Sequence, residues 1–175
     1  VILLVQMLGP GITFRRLWSQ FLTGLWGMPL VAILLELMAL VPVSIVALAG
    51  LASSVDLPGL LEPMLESVPE AGALNEDTAI ALLLNPWVLA GVFGFVAGLV
   101  PLIEEAVKTL AVLPIARRLS ASGAFVGGAL GGAGYALFEA LFLTQPDASW
   151  LTTMVGRAGA TAMHAFTAAV TCWGL

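Results

Sequence analysis

The sequence predicts an all-α protein, a polytopic transmembrane helix bundle with about five spans in residues 1–175, read as a single integral membrane domain. Composition predicts it first: 60% of the residues are apolar, 10% are charged, and the mean hydropathy is +1.06. A soluble domain carries about a quarter charged residues. The second observation is that the apolar residues form several runs close to the roughly 20 residues that cross a bilayer. The third is that proline, glycine and charged residues gather in the breaks between runs. A net charge of −5 leaves no basic surface for nucleic acid. The one cysteine, Cys172, excludes an internal disulfide or a multi-cysteine metal site, and reads as a small apolar residue in a helix.

Val1 to Leu8 reads as the tail of a truncated first span, which makes a piece of a longer protein the expectation. No basic n-region marks a cleavable signal peptide. Met28 to Leu51 is a full span, with Glu36 within it and Pro42 as a kink. Residues 53–77 form a loop rich in proline and glycine that holds Asp56, Glu62, Glu66, Glu70, Glu76 and Asp77 but no Lys or Arg. Trp87 to Ile115 is the third span, set off by Asn85-Pro86 from a juxtamembrane piece at Thr78 to Leu84. Ala124 to Leu143 is the fourth and Leu151 to Leu175 the fifth. Arg15 and Arg16 fall between spans one and two, and Arg117 and Arg118 between three and four. Both pairs lie on one side if every span crosses, so that side is expected to be cytoplasmic. The acidic loop is then external, in a bacterial or archaeal plasma membrane.

The ionisable residues inside these runs set the functional expectation, because a charge at the bilayer centre costs roughly 2.5–3.5 kcal/mol on insertion scales. Glu104, Glu105 and Lys108 fall within five residues of one another. At 1.5 Å per residue, Glu104 lies roughly 25 Å below the external edge and His164 roughly 21 Å, with Glu139 and Arg157 each about 10 Å down. That arithmetic gives a deep layer of Glu104, Glu105, Lys108 and His164 and a shallow one of Glu139 and Arg157. Glu104 and Lys108 are i,i+4 neighbours, so the lysine holds a carboxylate there rather than snorkelling to the headgroups, while Glu105 points about 100° away. Arg157, Thr161, His164 and Ala168 make one stripe at helical spacing. Gly127-Gly128, Gly131-Gly132 and Gly134 form a bare surface for close helix packing, which would hold Glu139 near its partners.

Glutamates and a histidine gathered in a wet pocket within lipid suit hydrolysis. A buried carboxylate takes a proton from water, and a second acid or an imidazole serves the leaving amine or the oxyanion. The spans hold no GxSxG, no aspartate pair and no HExxH. Zinc is the candidate cofactor, and His164 with Glu105 or Glu139 would be its ligands.

These residues carry a resemblance. Glu104-Glu105-Ala-Val-Lys108 resembles the EExxK motif of the PrsW-type intramembrane proteases. Gly134-Tyr-Ala-Leu-Phe138-Glu139 is similar to their phenylalanine–glutamate motif, and Arg157 with His164 and Gly174 to their third. The three occur in the family's order, over 87–175. The related CAAX prenyl endopeptidase group has EExxxR, an arginine offset absent here. The resemblance implies an endopeptidase that cuts a membrane-anchored protein such as an anti-sigma factor. Glu104 and Glu105 would be the catalytic acids, Glu139 and His164 would complete the site, and Lys108 and Arg157 would support it. It leaves open a metallo- or glutamate-type mechanism. Ala140 stands where the family often has asparagine, and a further histidine motif would lie beyond Leu175. From the residues alone, a proton-coupled transporter or channel using the same Glu, His and Arg groups as a relay is the alternative.

Overall fold

The computed structural model describes residues 13–56, 80, 82–142 and 149–175. All regular structure among these is helical, with no strand. Six α-helices carry it: α1 (Phe14–Leu22), α2 (Met28–Ser54), α3 (Pro86–Phe93), α4 (Val100–Lys108), α5 (Ala121–Phe142) and α6 (Trp150–Trp173). Three helical stretches are long and apolar enough to cross a membrane: Phe14–Ser54, Pro86–Arg118 and Ala121–Phe142. The chain is thus a helical protein of membrane-protein character. Its proposed first span at Val1 to Leu8 and the acidic residues from Glu62 to Asp77 lie outside the described residues. Helix α6, 24 residues long, is not among the three. Its threonines, Arg157 and His164 dilute an otherwise apolar sequence.

The first correction concerns Arg15 and Arg16. They were expected in a loop between two spans, but both lie within α1, and helix continues from Phe14 to Ser54. Two features make this possible. Helix α1 is amphipathic, with Leu17 and Gln20 buried on one side, Arg15 exposed and Arg16 half-buried at its flank. A single π-helical turn, Thr23–Gly27, then joins α1 to α2. A second π turn, Gly94–Leu99, joins α3 to α4. Each wide turn ends two residues before a proline, Pro29 or Pro101. A proline removes the N–H that would bond four residues back, and a π turn is one way a helix absorbs that gap. After Lys108 the helix instead tightens to 3₁₀ geometry at Thr109–Ala111 and Leu113–Arg118, around Pro114. The start of α3 follows the sequence closely. Asn85 caps it, its side chain accepting from the Trp87 amide at 3.0 Å, with Pro86 in the first turn, where a missing donor costs nothing.

The chain divides into two compact units, one of residues 1–35 and 102–175 and the other of residues 36–101. In the second, Gly50 lies against the Trp87 ring, and Gly91 meets Ala47. Asn85 Nδ2 donates to Ser54 Oγ at 3.1 Å.

The first unit holds every predicted site residue, and its centre is α5. The glycines of α5 behave as the sequence predicts. A side chain on Gly128 would overlap the Ala168 carbonyl, and one on Gly132 the His164 carbonyl, so α6 packs backbone to backbone on this face. Gly131 meets Ala111, and Gly134 meets the backbone at Phe21 to Leu25, so the opposite face is equally close to α1 and the first π turn. Such approaches give dispersion contact without the hydrophobic effect, which lipid does not supply between helices. Around them lies a core of Met28, Ala32, Val107, Val112, Tyr135 and Cys172. A smaller cluster joins Leu17 to Val126 and Leu130.

Candidate functional site

The close α5–α6 packing fixes the site. Helices without intervening side chains place their neighbouring polar groups within direct reach. Glu139, near the end of α5, meets His164 on α6, with Oε2 3.0 Å from Nε2. This corrects the depth reading, which put the two in separate layers. That reading compared backbone depths and left out the reach of the two side chains. The register set by Gly132 on His164 and by Gly128 on Ala168 puts Phe142 level with about residue 154 and Glu139 with about residue 157. Glu139 and His164 therefore meet over a backbone offset of about 10 Å, each side chain leaning toward its own helix N-terminus and so toward the other. Gly156 and Gly159 have open space where a side chain would point.

The second polar pair enters from α4. Lys108 is 1% exposed, so it does not snorkel. Its Nζ bonds Glu105 at 2.5 Å and donates to Thr167 Oγ1 at 3.3 Å. The i,i+4 reading named Glu104 as the lysine's partner; the carboxylate found on it is Glu105, at i+3 spacing. An ammonium removed from water loses several kcal/mol of solvation unless ionic and hydrogen-bonding partners replace it. Glu105 and Thr167 are those partners. The Cys172 thiol packs on the same turn, donating to the Lys108 carbonyl at 3.7 Å.

Thr167 connects the two pairs. Its hydroxyl also reaches the His164 carbonyl at 3.4 Å, one turn earlier on α6. The series Glu105, Lys108, Thr167, His164, Glu139 therefore spans three helices. Sequence reasoning missed Thr167, although its i+3 spacing from His164 put it on the histidine's side of the helix. It also missed Tyr135, whose ring lies 5.5 Å from the imidazole at 36°. Tyr135 precedes Glu139 by four residues, the spacing that shares a helix face. Phe138, part of the quoted motif, points elsewhere and packs edge-on against Trp26 at 6.0 Å.

Accessibility separates the groups. The Glu105 side chain is 43% exposed and that of Glu139 29%, so both carboxylates can be approached. His164 is buried, and its Nδ1 has no hydrogen-bond partner among the described residues. With Nε2 turned to a carboxylate, the neutral imidazole holds its proton on Nε2 and leaves Nδ1 as a lone pair. Glu104 is half-buried beside Glu105, and Arg157 is half-buried seven residues before His164.

The zinc expectation meets an incomplete donor set. A catalytic zinc takes three protein ligands, and among the described residues no group of three or more His, Cys, Asp or Glu side chains comes together to hold a metal. His164 and Glu139 make a pair. No protein-family model matches the chain, and neither a curated protein nor a solved structure gives a significant match.

Proposed function

We propose that this chain is an intramembrane endopeptidase of the PrsW type, hydrolysing a peptide bond of a membrane-anchored protein such as an anti-sigma factor. The observation that carries the reading is the Glu139–His164 contact, tied through Thr167 to the Lys108–Glu105 pair. Hydrolysis needs a carboxylate that water can reach and a second group to handle a proton at the leaving nitrogen. Glu105, held by a buried ammonium, is the more accessible carboxylate and the better placed to orient water. Glu139 fixes the imidazole, and His164 carries the proton on Nε2. Glu104 remains a catalytic acid by motif. No step is assigned to a metal. In this reading the chain crosses the membrane five times, with Arg15, Arg16, Arg117 and Arg118 cytoplasmic and the acidic loop 53–77 external.

The test is cleavage of a single-span reporter by the full chain in liposomes. Glu105→Gln, Glu139→Gln and His164→Ala are each expected to slow the reaction by about 10²–10⁴, the range of general acid–base contributions. Unchanged cleavage by the Glu104→Gln/Glu105→Gln double variant would exclude the catalytic assignment. Proton-coupled uptake of a solute without cleavage would favour the relay reading.

A further inference from the structure

A cleft away from these groups has a different chemistry. It lies in the first unit, between α1 and the 3₁₀ segment around Pro114, with a volume of about 470 Å³. Arg15, Arg16, Thr13, Ser19, Gln20 and Thr23 supply its polar wall, and no carboxylate lines it among the described residues. Neither guanidinium is paired with a carboxylate among the described residues. Gln20 is 3% exposed, and its Nε2, buried against Gly127, has no hydrogen-bond partner among them. Two fixed positive charges therefore lack a carboxylate counterion among the described residues. The wall also contains the first turn of α1, whose backbone N–H groups add the positive end of the helix dipole.

A second cavity of about 510 Å³ adjoins the first and shares Arg15, Ser19 and Thr23 with it. Its remaining walls are Trp18 and Leu22, both exposed apolar side chains. A cationic, donor-rich cleft thus opens onto an apolar groove along the same helix. That is the shape of an amphiphile with an anionic head.

We infer that this double cleft binds an anionic phospholipid, its phosphate between Arg15 and Arg16 and an acyl chain along Trp18 and Leu22. Guanidinium groups suit a phosphate because their N–H donors match its oxygens in pairs. Basic pockets between membrane helices are known to hold such headgroups. The apolar groove selects a lipid over free phosphate, which would gain nothing from Trp18 and Leu22.

The test uses the purified full chain in neutral phosphatidylcholine nanodiscs. Phosphatidylglycerol, extra phosphatidylcholine or inorganic phosphate is added in turn, and thermal unfolding is followed with native mass spectrometry of retained lipid. A ligand bound only by the folded state raises the unfolding temperature by mass action. Phosphatidylglycerol is expected to raise it and to remain bound, the others not. The Arg15→Gln/Arg16→Gln variant should bind it at least fivefold more weakly, while Arg117→Gln/Arg118→Gln, a basic pair outside the cleft, should bind as the parent does. Ser19→Leu, which obstructs the cleft and keeps both charges, should also lose it, and covers the case in which the arginine variant does not fold. Equal losses in the two arginine pairs would overturn the inference in favour of diffuse surface charge. Equal stabilisation by inorganic phosphate would overturn the lipid assignment, as would no response to phosphatidylglycerol.

Discussion

Gly132→Ala tests whether glycine on α5 sets the site. A Cβ at Gly132 would stand 2.7 Å from the His164 carbonyl carbon and 2.9 Å from Ala165 Cα, whereas ordinary contact begins at 3.4 Å. The atoms opposite are backbone, so no rotamer relieves the overlap and α6 must move by at least the shortfall of 0.7 Å. Overpacking of this kind costs roughly 1–3 kcal/mol. The effect on geometry is larger than the effect on stability. Glu139 Oε2 and His164 Nε2 are 3.0 Å apart across the same crossing, and that displacement takes them past the roughly 3.5 Å limit of a useful hydrogen bond. Because the chain has a single histidine, ¹⁵N-labelled imidazole reports the contact without ambiguity. Gly132→Ala should unfold earlier and lose the chemical-shift signature of an Nε2–H bonded to carboxylate. Gly159→Ala, on a helix face with open space, is the control. It should leave the imidazole signal alone and hold or slightly raise stability, since alanine favours helix over glycine by about 1 kcal/mol. An unchanged histidine signal in Gly132→Ala would refute the claim that backbone contact fixes the pair.

Two further outcomes follow from the same contacts. Lys108→Met should destabilise the protein by about 1–2 kcal/mol, below the roughly 3–5 of a wholly buried pair because Glu105 remains partly exposed. Thr167→Val removes one hydrogen bond at a cost of about 1 kcal/mol; combined with Lys108→Met in a double-mutant cycle of denaturation, the two should be less than additive, and strict additivity would show that they do not interact. In parent protein, neutral His164 should carry its proton on Nε2, and Glu139→Leu should release the ring to a mixture of tautomers. A parent imidazole protonated on Nδ1 would contradict the assignment.

The helical class, the starts of α3, α5 and α6, and the close packing of the α5 glycines were legible in the sequence. They rest on composition, on Asn85-Pro86 and on small-residue spacing, all local signals. The site was legible as a set of residues but not as a set of pairs. Spacing along α4 favoured Glu104 over Glu105, yet i+3 and i+4 are both one turn away, and only Thr167 on another helix decides where the ammonium sits. Glu139 and His164 fell into separate layers because residue counting gives backbone depth and leaves out the reach of two side chains that lean toward each other. Arg15 and Arg16 looked like loop residues because charge argues against a membrane span. They lie instead on an amphipathic helix packed against α5. Thr167 carried no motif signal, and Tyr135, inside the quoted Gly134–Glu139 segment, was given no role there; neighbours on the facing helices make both relevant.

The wide turns ahead of Pro29 and Pro101 change how the long helices should be read. Buried positions in the first include Leu17, Gln20, Gly24, Met28 and Ala32, with Pro29 beside Met28. Three successive steps of four would drift the inward stripe by roughly 120° in a regular α-helix. The bulge at Thr23–Gly27 takes up part of that slip, so a sequence that looks out of phase can keep one side turned to the same neighbour. Periodicity measured in a single window across such a bulge averages two phases and understates both. A glycine-containing stretch two residues ahead of a proline is therefore a place to restart the count rather than continue it.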